Sequence, residues 1–478
     1  MTLTAKKCYL NETHLFEKNG VCFVFFPQNL LLFEVDENTY ANIKELKEKY
    51  GTTSSFMSDD EGLLEAGIIY EAEEPRGDLY KQGYEEYMKD HPEDKIPPIT
   101  NAVLQIANDC NLNCIYCYGD GGSYGREREL MTMDTAKKAI DLMVANSEGI
   151  NELTVIFFGG EPLINFDVVK GTLEYCKSIE ETCGKTFRYS MTTNGTIMND
   201  EIYDFIKDNK VSVMISMDGG KELQNKHRCY CDGKGSFEDI QKNIERFKEA
   251  RGGFLTARAT VCSTDIRFKK IRDDLLALGF TNAVTSMVDT AEDSPLFIGG
   301  DYTQRVLEQY EILAEDFIEA VINHKKQLNN IFSEKLNRLY FKKLKIRSCN
   351  AGYGGIAIGT DGNIYPCHRF MGMPEYIIGN LEDGIDEVAR GGYREATIYT
   401  KEECKTCWAR YLCSGACAHT SAVHGGDVFH APTCYCDIYK GLDELTLYAY
   451  WKLKEWDEDI LRKRLENMDT QHSTLTTL

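Results

Sequence analysis

The sequence predicts an α/β protein: a partial (β/α)6 barrel of the TIM type, with a winged-helix-like module before it and a metal-organised domain after it. Three observations carry this. From Val103 to about residue 324, six β-rich runs alternate with amphipathic helices, a pattern that builds a parallel sheet with helices outside it. The first 70 residues show hairpin chemistry instead. The last part of the chain gathers eight of its 18 cysteines between residues 349 and 436.

In the N-terminal module (1–70), His14–Glu17, Asn19-Gly20 and Val21–Phe26 read as strand, tight turn, strand. Pro27-Gln28-Asn29 turns the chain into a third strand, Leu30–Val35. Asp36 can cap a helix that carries Tyr40, Ile43 and Leu46 on one face and stops at Gly51. A second short helix is expected around Glu61–Gly67. Residues 71–100 are charged and hold Pro75, Pro92, Pro97 and Pro98, so they read as a linker with one acidic helix, Leu79–Lys89.

The barrel (101–330) is assigned strands at Val103–Ala107, Leu153–Phe158, Phe187–Thr192, Val211–Met217, Leu255–Val261 and Ala283–Val288. Helices are expected at Asp134–Val144, Asp167–Glu181, Asp200–Lys207, Phe237–Glu249 and Phe268–Leu278, then a long one at Tyr302–His324. Six units fall short of a closed eight-fold barrel, which favours a partial barrel over a doubly wound sheet. Its active site should lie at the strands' C-terminal ends. Residues 331–440 form the cysteine-rich domain. The segment 441–478 reads as a charged helix from Leu442 to about Asn467 and a frayed Thr/Ser-rich end.

Composition narrows the function classes. The 478 residues are 42% hydrophobic and 27% charged, ordinary for a globular protein. A net charge of −22 opposes binding to nucleic acid or to anionic membranes. The start of the chain lacks a signal peptide's apolar stretch, and no run is long enough to span a bilayer. A reducing cytoplasm is expected, where many cysteines mean metal rather than disulfides.

Cys110, Cys114 and Cys117 follow the first barrel strand as Cys-x3-Cys-x2-Cys. Three such thiolates can hold three irons of a [4Fe–4S] cluster and leave the fourth open. Zinc normally wants a fourth protein ligand, and the local candidate, Asp120, suits a structural site poorly. The run Cys110-Asn-Leu-Asn-Cys114-Ile-Tyr116-Cys117 resembles the signature of the radical S-adenosylmethionine (SAM) enzymes. Gly159-Gly160-Glu161-Pro162 at the second strand's end resembles that family's motif for the SAM amino group, with glycine allowing close backbone approach. Thr193-Asn194-Gly195 and Ser216-Met217-Asp218-Gly219 end the next two strands like its polar contacts to SAM. The resemblance implies that Tyr116 packs near the adenine, Ser216 takes a ribose hydroxyl and Arg258 meets the SAM carboxylate. It also implies reductive cleavage of SAM to a 5′-deoxyadenosyl radical and hydrogen-atom abstraction from substrate, with a flavodoxin or ferredoxin-type electron donor.

The spacing Cys349-x12-Gly362-x4-Cys367, then Cys404-x2-Cys407-x5-Cys413-x3-Cys417, then Cys434 or Cys436 resembles the SPASM extension of these enzymes, which carries two auxiliary [4Fe–4S] clusters. A zinc ribbon at residues 404–417 is the alternative. The resemblance assigns Cys349, Cys367 and Cys417 to auxiliary cluster I. It assigns Cys404, Cys407, Cys413 and Cys436 to auxiliary cluster II, with Cys434 as the alternative to Cys436. Relatives with a fully ligated first cluster carry a further cysteine just before the counterpart of Cys349. Leu344–Ser348 has none, so an open iron and a cysteine-containing substrate are expected.

The N-terminal module is similar to the recognition element of maturases acting on ribosomally made peptides (RiPPs). There the precursor's leader adds a strand beside the third strand, here Leu30–Val35, and packs on the following helix, here Tyr40–Tyr50. Cys367-His368-Arg369-Phe370-Met371-Gly372 resembles the thioether-forming (ranthipeptide, six-cysteines-in-forty-five) maturases. His368 stands where sulfatase maturases have an acidic base, and could serve as a base itself or as a hydrogen-bonded structural residue. The expected function is thioether formation on a Cys-containing precursor peptide. Carbon–carbon cross-linking, formylglycine formation and a non-catalytic iron–sulfur electron-transfer or scaffold role remain alternatives.

Overall fold

A computed structural model describes residues 5–91, 97–325 and 331–472. The first residues of the chain, Pro92 of the linker and the Thr/Ser-rich end lie outside the described residues.

The N-terminal strands are β1 (Lys6–Leu10), β2 (His14–Lys18), β3 (Val21–Phe26) and β4 (Leu31–Val35), followed by α1 (Glu37–Tyr50), β5 (Phe56–Ser58), α2 (Glu61–Glu65) and β6 (Ile69–Glu71). β2, β3 and β4 form the expected antiparallel meander, with β4 at its edge. Asp36 caps α1, accepting from the amides of Asn38 and Thr39. A second antiparallel sheet, β5-β1-β6, is not foreseen in the sequence: two of its strands have three residues each and show no periodicity. β3 is apolar throughout because both of its faces are covered. Phe23 and Phe25 join the main core, while Val24 and Phe26 pack with Cys8, Leu10, Ile43 and Ile69 in a core of the module's own.

The segment after the module holds α3 (Leu79–Asp90). The loop between Cys407 and Cys413 clamps both together. Arg410 pairs with Glu12 and with Asp78, the latter at 2.8 Å, and the ring of His14 stacks on Trp408 with centroids 3.6 Å apart.

The strands of the barrel region are β7 (Asn101–Ala107), a short β8 (Leu112–Cys114), β9 (Glu152–Gly159), β10 (Thr186–Thr193), β11 (Ser212–Ser216), a short β12 (Arg228–Tyr230), β13 (Thr256–Val261) and β14 (Asn282–Met287). Between them run α4 (Met133–Ala145), α5 (Phe166–Cys183), α6 (Asp200–Asp208), α7 (Lys221–His227), α8 (Phe237–Ala250) and α9 (Phe268–Ala277), with α10 (Thr303–Ile322) after β14. Six strands pair in parallel in the order β14-β13-β11-β10-β9-β7, which is the partial barrel. β12 zips antiparallel onto β8, the strand of the first cysteine loop.

The C-terminal region comprises α11 (Ser333–Tyr340), β15 (Gly355–Ile358), β16 (Ile364–Tyr365), α12 (Glu387–Glu395), α13 (Arg410–Cys413), α14 (Ala418–Gly425) and α15 (Thr433–His472). β15 joins β7 in parallel and extends the barrel sheet, and β16 returns antiparallel to it. The exposed barrel edge is thereby paired. Gly355 permits the approach: a Cβ there would lie 2.3 Å from Asn101 Oδ1. Cys349 precedes this hairpin and Cys367 follows it, so the hairpin carries both to the barrel mouth. α15 starts nine residues before the helix expected from Leu442, which puts Cys434 and Cys436 on its first turn. Among the described residues, no helix is long and apolar enough to cross a membrane.

Candidate active site and metal centres

A cavity of about 1150 Å³ opens at the C-terminal ends of the barrel strands. Cys110, Cys114, Cys117, Tyr116, Gly159, Gly160, Asn194, Ser216 and Arg258 line one side of it, and Cys349, Cys367 and His368 line another. Nearly all residues singled out for the first cluster and for SAM therefore share one space with part of the second cysteine field.

Both glycines line the cavity and also pack closely on the cysteine loop. A Cβ on Gly160 would stand 2.1 Å from the carbonyl oxygen of Asp109, and one on Gly159 2.5 Å from that of Ala107. Gly160 N–H donates to Ala107 O at 2.8 Å and Glu161 N–H to Asp109 O at 2.9 Å. The motif thus fastens the start of the cysteine loop to β9, and close packing between backbones is what demands glycine. Glu161 and Pro162 are buried behind the cavity lining. The Glu161 carboxylate accepts from Leu163 N, Thr193 Oγ1 and Asn194 N, and burial pushes it up to about 7 against these donors. It locks the ends of β9 and β10 together. Asn194 reaches Asn111 Oδ1 at 2.8 Å, beside the Cys110 sulfur.

Tyr116 donates to Asp218, which also meets His227 Nδ1 at 3.1 Å and Arg228 Nε at 3.2 Å. Burial pushes the Asp218 carboxyl up, but Arg228, His227 and Tyr116 outweigh it and hold it below its usual range. His227 Nε2 in turn reaches Thr264 and the Cys262 sulfur, at 2.6 and 3.7 Å. The ring expected against the adenine is therefore held from behind by a buried network. Arg258 has Ser286 Oγ as its hydrogen-bond partner at 2.5 Å. Burial, with Arg369 and Arg228 nearby, lowers its pKa, so an anionic ligand would offset its charge.

In the second field, burial and then the nearby Cys417 push the Cys367 thiol up to about 12, with Cys349 adding to the effect. His368 Nδ1 lies 3.6 Å from the Cys367 sulfur, and its ring packs on Phe158. Burial, Arg369 and Arg258 push this imidazole down to about 3, so it is neutral near pH 7. A second cavity, about 310 Å³, is lined by Cys404, Cys407, Cys413 and Cys436. Cys434 does not line it. The residues between Cys413 and Cys417 — Ser414, Gly415 and Ala416 — all have left-handed backbone, with φ of 64°, 84° and 61°, which turns the amides of Gly415 and Ala416 toward the Cys413 sulfur.

Sequence reasoning missed Asp289, two residues past β14. It lines the main cavity and binds Thr420 Oγ1 at 2.8 Å, Arg369 Nη2 at 2.9 Å, His424 Nε2 at 3.0 Å and His419 Nδ1 at 3.1 Å. Its position at a barrel strand's end was the available signal.

The radical SAM superfamily model matches residues 104–261, and the model of SPASM, an iron–sulfur cluster-binding domain, matches residues 349–408. The chain carries a radical SAM domain followed by a SPASM domain. The radical SAM cyclopropyl synthase TigE of Paramaledivibacter caminithermalis is 25% identical over 356 residues, 70% of this chain and 71% of that one. A cysteine-type anaerobic sulfatase-maturating enzyme of Clostridium perfringens is 24% identical over 383 residues, 75% and 98% of the two chains. The solved structure of anSMEcpe with bound AdoMet aligns with a TM-score of 0.66 at 20% identity, covering 77% of this chain and 98% of that one. Streptococcus suis SuiB bound to S-adenosylmethionine aligns at 0.50 and 15% identity, covering 86% and 96%. At such identities these two structures establish a common fold.

The two domains imply SAM and [4Fe–4S] clusters as cofactors, and the radical SAM/SPASM chain is an enzyme. The donor sets fit. Burial, with neighbouring thiols adding to it, pushes Cys110 up to about 12 and Cys114 to about 11. Converging buried thiols that disfavour one another's ionisation are relieved by a cationic centre that binds them as thiolates. The same holds for Cys404, raised to about 12 by burial and by Cys413.

Proposed function

We propose that this enzyme modifies a cysteine-containing precursor peptide, joining cysteine sulfur to carbon as intramolecular thioethers. The bound SAM and clusters would supply one-electron chemistry and hydrogen-atom abstraction from an unactivated carbon.

One observation carries the reading. Leu344–Ser348 line the same cavity as Cys110, Cys349 and Cys367, yet this stretch holds no thiol. We assign Cys110, Cys114 and Cys117 to the SAM cluster. Cys349, Cys367 and Cys417 go to auxiliary cluster I, and Cys404, Cys407, Cys413 and Cys436 to auxiliary cluster II. Three protein thiols at the first auxiliary site leave room for one from the substrate. The cavity also exceeds the roughly 300–1,000 Å³ of small-molecule pockets, as suits SAM together with a peptide segment.

Within it, Ser216 and Asn194 present polar groups to SAM, Tyr116 a ring, and Arg258 a cation for a carboxylate. His368 presents a neutral imidazole beside Cys367. In this environment it is a weak base, better suited to hydrogen-bonding near that sulfur than to storing a proton. The leader would pair with the free edge of β4, where Phe33 is 46% exposed, and lie along α1. A flavodoxin or ferredoxin-type donor would supply electrons.

The test is mass spectrometry of the cysteine-rich peptide after anaerobic turnover with the reconstituted enzyme. The expected product has lost two hydrogens per cross-link and has no alkylatable thiol at the linked cysteine. A loss of two hydrogens with every thiol still alkylated means carbon–carbon bonding and sinks the thioether reading. Loss of sulfur from a cysteine means formylglycine and sinks it equally. Carbon–carbon chemistry is kept as the second reading because TigE is named a cyclopropyl synthase.

A further inference from the structure

Outside both cavities, a third group of ligand side chains converges where the barrel meets the SPASM region. Glu292 lies in the connection after β14, His424 near the end of α14 and Cys434 on the first turn of α15. One ligand atom from each of the three falls within 4.8 Å of the others. The thiol of Cys434 donates to the Glu292 carboxylate, and His424 Nδ1 faces the same carboxylate at 3.7 Å.

The histidine is prepared for a metal. Its Nε2 meets Asp289 Oδ1 at 3.0 Å, and Asp289 is an ionised acceptor held by Arg369, His419 and Thr420. The proton of a neutral ring is therefore fixed on Nε2, leaving the Nδ1 lone pair toward Glu292 and Cys434. A carboxylate that orients the remote nitrogen is the usual support of a metal-bound imidazole. Phe297 and Tyr435 flank the ring and restrict its rotation.

We propose that Glu292, His424 and Cys434 bind one zinc-class divalent ion at a site separate from the iron–sulfur clusters. One sulfur, one imidazole nitrogen and one carboxylate oxygen form a zinc donor set with a fourth position left open. Binding releases the Cys434 proton to solvent, and no redox change is involved. Ligand atoms around tetrahedral zinc stand about 3.3–3.8 Å apart. The contraction needed is about 1 Å, and Glu292, 59% exposed on an irregular connection, can make it. The ion would pin α14 and α15 to the loop after β14. Because Asp289 also lines the main cavity, the site shares its supporting carboxylate with the active-site wall. This assignment also gives Cys434 a role apart from Cys436.

The experiment uses reconstituted holoenzyme, treated with chelator, incubated with zinc sulfate, desalted and analysed for zinc and iron. One zinc per chain is expected beside about twelve irons. Zinc should fall about fivefold or more in Cys434→Ala and in Glu292→Gln, with iron unchanged. Glu292 is exposed, so its variant folds even if a buried substitution does not. Zinc K-edge absorption of the loaded enzyme should show one sulfur at about 2.3 Å and lighter neighbours at about 2.0–2.2 Å. Equal zinc in wild type and variants would overturn the proposal, as would a zinc shell of two or more sulfurs. Loss of about four irons in Cys434→Ala would overturn it too, by making that residue a cluster ligand.

Discussion

Asp289 and Arg369 meet at 2.9 Å, joining the end of the sixth barrel strand to the segment that leaves Cys367. Burial alone would push the Asp289 carboxyl up, but His419, His424, Arg369 and Thr420 hold it far below its usual range. One anion thus fixes the barrel against both α14 and the residue two positions past Cys367.

Replacing Asp289 by Asn removes that anion and strands the buried Arg369 charge. Breaking a buried pair from one side costs about 3–5 kcal/mol, so the thermal midpoint should fall by roughly 3–5 °C for a chain of this length. The wall carrying Cys367 and His368 then shifts. Peptide modification should drop about tenfold or more, while uncoupled formation of 5′-deoxyadenosine, which we assign to the wall carrying Cys110, Cys114 and Cys117, stays within about threefold. Equal losses in both reactions would place Asp289 at the SAM side instead.

Gly160→Ala should act on the first cysteine loop alone. Its Cβ would overlap the Asp109 carbonyl at 2.1 Å, and backbone cannot yield as a flexible side-chain end can. The loop must move, and Cys110, the next residue, moves with it. Iron content is expected to fall from about twelve to about eight per chain. Electron paramagnetic resonance of the remaining clusters should be unchanged.

These two sites differ in how far the sequence discloses them. The six barrel strands are legible because each is long enough to show its burial, and the helices between them have clear 3.6-residue stripes. The cysteine fields are legible because ligand spacing is a local, chemically specific signal. β15 escapes notice because its four residues sit among glycines and carry no period. Asp289, Glu292 and His424 escape for another reason: they meet only once a strand end and a helix about 130 positions later are packed together. Gly160 is visible as a motif residue, but its physical task, making room for the Asp109 carbonyl, appears only when β9 and the loop are side by side.

His227 makes a pH prediction. Burial alone would lower this imidazole, but Asp218 and the Cys262 sulfur outweigh burial and bring it up to about 9. A group whose folded pKa lies above its unfolded value of about 6.5 stabilises fully below that value. The contribution is then lost as pH climbs through 9. An isolated shift of this size is worth about 3 kcal/mol. Cys262, lowered by the same ring, gains stability toward alkaline pH and offsets part of this, leaving about 1–2 kcal/mol. Wild type should therefore lose stability between pH 6.5 and 9, read as denaturant midpoints under anaerobic conditions. His227→Gln should be less stable at pH 6.5 and nearly flat across the window.

Lys401 is a buried cation between the two sets of cysteines assigned to the auxiliary clusters. Its Nζ donates to Gly415 O at 2.7 Å and Ser421 Oγ at 2.5 Å, and these two acceptors carry no formal charge. Burial lowers its pKa, while Cys404, Cys413, Cys417 and Cys349 push back. Its charge is therefore a cost in the cluster-free chain and a benefit once thiolate-bound clusters surround it. Lys401→Met should then have opposite effects in the two states. The cluster-free variant should be as stable as wild type or more so. In the loaded variant, removing a neighbouring positive charge disfavours the reduced clusters, so auxiliary potentials should fall in an anaerobic redox titration followed by electron paramagnetic resonance. The SAM cluster, bound by cysteines that do not act on Lys401, should keep its potential. Unchanged auxiliary potentials would reduce Lys401 to a fastener of the turn between Cys413 and Cys417.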